Sequence, residues 1–529
     1  MNTAFDERPD KPWLTPLKLI LIAMFLLCLL VAGFLYTVIA AEPKIATDYG
    51  AKATALARQR QNMPANAPDN WGQISQIAAK LTAARETVAA RYPDLPVEAF
   101  DFTFLNWPDA VPTRDSFTAD QARAVAIEWM EAFRKAGGFD DLAKLPTIPY
   151  AARPISATGP LVLTVFPELG KSRQIARMNA ARMYLAAQSG DDAQRLAAFE
   201  ESLAIARLLG FQTTIIDNLV AVAINALVFA ELRREIVEQP LAERAALDLL
   251  AAIDRNPLPS VAGAFDGERY SALDLIQRTY SDDGGGNGRF LPAAAAGLGS
   301  DIGVPLGGNP PASAPRAFNV LGLLQPSRRE TEAKTNEIYD YFVKLAGMTR
   351  TERRAMTGPE PTAGLERFKL LELIIPAIDS ALKANDQIAS DLAATRIMLA
   401  LEIHRARTGS YPDSLAALAP GILPALPLDS VNDKPFGYRL IDAASDPAGR
   451  GYLLYSCGPD GVDNQGYTGA PGDKQPVTPF LATGTLDYVY NTPRPLPPPV
   501  DPNAPPSAAE ESANQQAEIA PTPAPSSDE

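Results

Sequence analysis

The stretch GYLLYSCGPDGVDNQG, residues 451–466, gathers the residue types in this chain best placed to do chemistry. An apolar, strand-like run ends at Ser456 and Cys457, and a Gly-Pro-Asp-Gly turn follows with Asp460, Asp463 and Asn464 spaced around it. Three readings are open: a catalytic turn, a metal loop, or a corner in which Pro presets φ and Gly accepts positive φ. The spacing is not that of an EF-hand, which needs Asp-x-Asp/Asn-x-Asp/Asn-Gly and a later Glu.

Other candidates are few. The single His404 excludes multi-histidine metal sites and leaves one candidate for a histidine-based triad. Its place near a helix end, between Glu402 and Arg405, reads as an exposed or capping role. Glu200, Glu201, Glu231 and Glu235 can be imagined as paired acids of a membrane-tethered hydrolase. On amphipathic helices such acids more commonly form the solvated face or pair with neighbours such as Arg233 and Arg234. The sequence has no Walker loop, no dinucleotide fingerprint and no Gly-x-Ser-x-Gly elbow. Cys28 lies in an apolar segment far from Cys457, so a disulfide between them is not expected.

The elements that must position these residues start at a membrane. The uncharged segment LILIAMFLLCLLVAGFLYTVIAA, residues 19–41, is long enough to cross a hydrocarbon core of roughly 30 Å. A cleaved signal peptide is the rival, with Val38 and Ala40 as a small-residue cleavage site, but its apolar region would be unusually long. Arg8, Lys11 and Lys18 before the segment balance Lys44, Lys52, Arg58 and Arg60 after it, so charge bias does not orient the span. A net charge of -14 argues against nucleic acid as a partner, since that needs clustered Lys and Arg.

After the anchor, residues 42–282 read as a helical domain. The segment following Glu42 reads as a helix leaving the membrane and ending near Pro64. Thr118 with Gln121 makes a capping box before Ala122, Val125, Trp129 and Phe133, and Asp191 with Gln194 opens another helix. Residues 91–117, rich in Pro and aromatics, read as an extended connection. The apolar run Ile215 to Phe229 resembles a second span, but Asp217, Asn218 and Asn225 would be costly in lipid, so it is expected buried in the helical domain. The Gly/Pro/Ala-rich residues 283–325 suggest an exposed insertion or linker, and residues 326–385 resume the helices. Residues 492–529 form a Pro-rich acidic tail that cannot bury a core and is expected to be disordered.

Residues 386–491 carry an ordered set of motifs: a helix stopping at Gly409, Tyr411-Pro412, a short helix with Leu415 and Leu418, Leu426-Pro427-x-Asp429, then Pro435 and Tyr438. The strand with Tyr455 and the Ser456-x-Gly458-x-Asp460-Gly461 turn complete it. This order resembles the major pseudopilin of type II secretion systems and pilin-like folds more broadly, over about a fifth of the chain. The whole layout is similar to membrane-anchored bacterial proteins that end in such a module. The resemblance implies a small α+β module outside the cytoplasm, with calcium in the loop after the strand. Ser456, Asp460, Asp463, Asn464 and Asp487 are then the candidate ligands, with backbone carbonyls completing a shell of six to eight oxygens. The prepilin-peptidase site is missing: Gly33-Phe34 lies inside the apolar run and Val38 stands where the glutamate belongs, so processing into a filament is not implied.

The expected fold is therefore mainly α: a cytoplasmic N-tail (1–18), one transmembrane helix, a large helical extracytoplasmic domain, a pilin-like α+β C-terminal module and a disordered tail. The expected role is structural, assembly or binding, without catalysis. The expected place is a bacterial inner membrane with the bulk facing the periplasm and an envelope protein as partner.

Overall fold

The computed structural model describes residues 16–107, 116–155, 159–301, 315–357, 360–374, 378–446, 448–469, 478 and 486–494. It is mainly helical. Sixteen α-helices occur among the described residues: α1 Pro16–Ala40, α2 Tyr49–Arg60, α3 Trp71–Ala89, α4 Thr103–Asn106, α5 Ala119–Lys135, α6 Gly138–Leu142, α7 Pro167–Ser189 and α8 Asp192–Gly210. The second half holds α9 Ile215–Glu238, α10 Glu243–Arg255, α11 Ala262–Thr279, α12 Pro292–Asp301, α13 Arg328–Ala346, α14 Arg350–Ala355, α15 Lys369–Ile374 and α16 Ile378–Thr408. Three short strands follow, β1 Gly437–Leu440, β2 Tyr452–Ser456 and β3 Tyr488–Val489, in an antiparallel sheet with β2 central.

Local signals set several helix starts. Thr118 and Gln121 form a reciprocal capping box on α5, whose Ala122, Val125, Trp129 and Phe133 are buried as their spacing predicts. Asp191 accepts from the Gln194 N–H at the start of α8. Gly409 ends α16 at φ +88°, a left-handed position that costs glycine nothing.

α7, α8 and α9 pack on one another, and α9 and α10 also pack on α16. The apolar α9 is thus a core helix. Its Asp217 is buried in an ion pair with Arg153, and the Asn218 side-chain Oδ1 accepts from the Asn385 side-chain amide at 2.7 Å. Lipid could offer none of these partners.

Four readings of the sequence change in the structure. The chain after α1 is not one continuous helix: residues 41–48 are non-helical, and Pro43 bridges to Ser281 before α2 begins. Residues 91–107 are not extended; they coil into short helical turns because Phe100, Phe102 and Leu105 turn inward beside Trp129, while 108–115 lie outside the described residues. The described parts of 283–325 are folded and not a linker. Leu291, Ala295 and Ala296 are buried, and a 3-10 segment at Arg316–Leu324 packs on α1 and α12. Gly and Ala there allow close backbone approach where composition suggested slack.

The fourth concerns the boundary at 386, which falls inside α16. One hydrophobic core joins Phe229 and Leu232 of α9, Leu249 of α10 and Ile397 and Leu401 of α16 to Phe436, Tyr452 and Leu454 of the hairpin region. The hairpin is built on the helical body, and among the described residues its own core is the small cluster of Leu453, Tyr455, Cys457 and Val489. The ordered fold also reaches past 491. Arg494 donates to Glu231 Oε1 at 2.8 Å and to the Asn106 carbonyl at 2.6 Å, and its guanidinium lies over the Trp107 and Tyr184 rings. The rest of the Pro-rich tail, residues 495–529, lies outside the described residues, as does the N-tail to residue 15.

Candidate cation loop of the terminal hairpin

β2 is buried on both faces because alternate residues point to opposite sides of a sheet. Tyr452 and Leu454 join the core against α16, while Leu453, Tyr455 and Cys457 face the loop that starts at Gly458. That loop returns over the strand, so Gly466 packs against Leu453 and Tyr455. The candidate ligands divide between the two faces.

Ser456 belongs to the inner side. Its hydroxyl donates to Asp429 Oδ2 and accepts from the Gly458 N–H at 3.0 Å. Asp429 is fully buried and also collects Ser390 Oγ, the Val431 N–H at 2.9 Å and the Asn432 amide at 3.1 Å. Burial pushes this carboxyl up from the usual range, and those donors hold it part of the way back. The Leu-Pro-x-Asp and Ser-x-Gly motifs therefore meet as a hydrogen-bond node tying β2 to α16. Tyr411 of the Tyr-Pro motif does the same at the other end, donating to the buried Glu402 at 2.7 Å.

The remaining candidates lie on the loop side. Asp460 is exposed, and its Oδ1 accepts from the Val462 N–H of its own turn at 3.1 Å. Asp463 Oδ1 accepts from Tyr455 OH at 2.9 Å and from the Gln465 N–H at 2.7 Å. Asp487, just before β3, is buried; its Oδ2 accepts from the N–H groups of Asn464 at 3.1 Å and Gly466 at 2.8 Å. Its Oδ1 is buried with no hydrogen-bond partner among the described residues. Burial raises the Asp487 pKa and the nearby Asp463 raises it further, against the two N–H donors. Among the described residues, no three His, Cys, Asp or Glu side chains converge as a metal cluster. The structure brings Asp463, Asn464 and Asp487 together, leaves Asp460 at the rim and turns Ser456 inward.

Cys457 is buried in the small cluster, and burial, with Asp487 and Asp463 adding, pushes its thiol up to about 12. A thiol that stays protonated is a packing group and not a nucleophile. His404 Nδ1 lies 3.1 Å from the Ser410 carbonyl at the end of α16, a helix-end contact.

The acids of the helical region are mostly consumed in pairs. Glu201 meets Arg182 at 2.5 Å in the core, Glu200 meets Arg255 at 2.9 Å, and Glu231 accepts from Arg494 and from the Asn106 amide at 3.0 Å. Glu235 is the exception: both its oxygens are buried without a partner among the described residues. Burial, with Glu231 adding, raises its pKa well above the usual value. A small cleft beside Ala53, Thr213 and Gly267 is lined by none of these carboxylates.

The meeting of Asp429 with Ser456, 27 residues apart, depends on how the hairpin docks and leaves no local signal. The sequence offers Glu235 only as one of four acids, and nothing in it signals Arg494. Comparison with family models, with curated proteins and with solved structures finds no match for this chain.

Proposed function

We propose that this chain is a membrane-anchored extracytoplasmic binding or assembly protein, held by one retained N-terminal helix and presenting a pilin-like hairpin whose loop takes calcium. The observation that carries the reading is the way α1 is built into the folded body. Val38 is buried, the Ile39 carbonyl accepts from the Asn319 amide at 3.4 Å, and Glu42 pairs with Arg316 at 2.6 Å. Cleavage near Ala40 would strip away packing that the body uses, whereas a signal peptide has no reason to be packed on. The resemblance to pseudopilins sets the direction, placing everything from Glu42 onward outside the cytoplasm with an envelope protein as partner.

Topology is tested with alkaline phosphatase fused to the C-terminus of the full chain. An active fusion on a protein that keeps residues 1–41 by mass is expected. A chain trimmed after Ala40, or an inactive phosphatase beside an active cytoplasmic reporter, would sink the reading.

For calcium, the support is Asp487 Oδ1, buried with no partner among the described residues and close to Asp463, at a loop rich in backbone carbonyls. Binding to the folded state alone adds RT ln(1 + [L]/Kd), about 2.7 kcal/mol at a hundredfold excess over Kd. Calcium is expected to raise the melting temperature of the detergent-solubilised chain, and Asp487→Asn to abolish the rise. Ser456→Ala should lower the baseline but keep the response, because its hydroxyl serves Asp429. Asp460→Ala should also keep it. A flat titration to millimolar calcium would leave the loop as a corner.

A further inference from the structure

We propose that the 3-10 segment Arg316–Leu324 is an in-plane lipid contact, with Phe318, Leu321 and Leu324 set into the phospholipid interface beside the point where α1 leaves the bilayer. This rests on α1 being a retained membrane span.

The argument begins with periodicity. A 3-10 helix has three residues per turn, so residues at i and i+3 eclipse one another. Pro315, Phe318, Leu321 and Leu324 therefore form one stripe, and Asn319 and Gly322 another. The structure separates the stripes by environment. Phe318, Leu321 and Leu324 are 44%, 54% and 82% exposed, while Asn319 and Gly322 are buried. Asn319 is thus inside while Phe318, Leu321 and Leu324 are outside beside the exposed Arg316, and for those three apolar side chains this is the reverse of what water selects.

The inner stripe is closely fitted. A Cβ on Gly322 would stand 1.8 Å from the Phe290 carbonyl oxygen, so only glycine lets the segment lie against that backbone. Asn319 donates to the Ile39 carbonyl in the last turn of α1, and its own side-chain oxygen accepts from the Ala293 N–H at 3.2 Å. The outer stripe is thus held in place and is not a loop that happened to stay out.

Its position identifies the occupant. The segment packs on the end of α1, whose side chains from Leu17 to Leu30 are exposed as a lipid-facing span requires. Arg316 pairs with Glu42 just beyond the span, and Ile45, three residues further, is 58% exposed. The stripe therefore sits beside the C-terminal end of α1, and on the proposal the exposed Arg316–Glu42 pair meets the headgroups. Amphipathic segments of this kind bury their apolar face roughly 5–10 Å into the interface. A second contact beside the span would also fix the tilt of the body relative to the membrane.

The test uses the full chain in the Cys28→Ser, Cys457→Ala background, reconstituted in vesicles of phosphatidylcholine and phosphatidylglycerol. An environment-sensitive fluorophore is placed on one cysteine at a time: Leu27→Cys, Leu321→Cys, Leu324→Cys or Asp192→Cys, the last being exposed on α8. Quenching lipids carry a spin label either high or low on the acyl chain. Labels at 321 and 324 are expected to be quenched several-fold more by the shallow quencher than by the deep one, and Leu27 more by the deep one. Asp192 should respond to neither. If Leu27 is quenched while 321 and 324 behave like 192, the stripe faces water or a protein and the proposal falls alone. If Leu27 is not quenched either, the span reading falls and takes this one with it.

Discussion

Arg153→Ala is expected to cost about 3–5 kcal/mol of stability, the penalty for leaving one partner of a buried ion pair uncompensated. Arg153 and Asp217 are 4% and 0% exposed and pair through two bonds of 2.8 and 2.6 Å. The guanidinium also lies 3.4 Å over the Phe166 ring and 3.6 Å from Glu168, at the start of α7, with Trp71 of α3 on another side. One cation thus joins α3, α7 and α9. Removing it leaves the buried Asp217 without its cationic partner, although Thr214 still donates to it at 2.7 Å. The control is the double variant Arg153→Met with Asp217→Asn, which removes both charges and keeps an amide to cap α9. It should recover at least half of the loss in urea unfolding of the solubilised chain at pH 7, because an absent pair costs less than a broken one. A single-variant loss below about 1 kcal/mol would mean that the pair is hydrated.

The second large effect is a pH dependence carried by Glu268. This residue of α11 faces the first turn of α9, where its Oε1 accepts from the Ile215 N–H at 2.9 Å. Burial pushes its carboxyl up to about 7, and Asp217 pushes in the same direction, against the lowering from the Ile215 N–H. The sign follows from comparing proton uptake in the two states. Below about pH 4.5 the group is neutral both folded and unfolded, and nothing is lost. Between 4.5 and 7 the unfolded chain releases its proton while the folded chain keeps it, so stability falls as pH rises, by up to roughly 3 kcal/mol across the window. Other buried acids with raised pKa, among them Glu201, Glu235, Asp391 and Asp429, contribute in the same direction. The informative quantity is therefore a difference. Glu268→Gln should gain on the parent steadily from pH 5 to pH 8 and be indistinguishable from it near pH 4. A gap that does not change with pH would show that Glu268 is solvated.

Both effects arise from groups whose neighbours are remote in sequence, which explains what could be read from the residues and what could not. The 3.6-residue spacing in α5 marks its buried face directly, since a helix repeats its own geometry, and capping at Thr118 and Asp191 is a contact across three residues. By contrast, α8 is buried on nearly every side from Ala198 to Gly210, which spacing alone does not signal. Asp217 and Asn218 in the apolar α9 were enough to expect a protein interior in place of lipid. Their partners, Arg153 and Asn385, lie 64 and 167 residues away and leave no local trace.

The candidate loop divides along the same line. From residue types and order alone came the strand ending at Ser456 and the turn after it, while the five candidate ligands, Asp487 among them, came only from the resemblance to pseudopilins. Strand alternation alone places Ser456 and Cys457 on opposite faces of β2. Which face meets α16 and which meets the loop is set by how the hairpin docks, and that turned Ser456 toward Asp429 and left Asp463 with Asp487. Composition likewise suggested slack in 283–325, where close approach of Gly322 to the Phe290 carbonyl lets the Arg316–Leu324 segment pack beside the end of α1. The chain by itself determined its helices, its apolar anchor and its turn chemistry, because those depend on neighbours a few residues apart. Tertiary packing decided which charges are buried, which carboxyls stay protonated and which apolar stripe is left facing out, because desolvation depends on everything that surrounds a group and not on what precedes it in the chain.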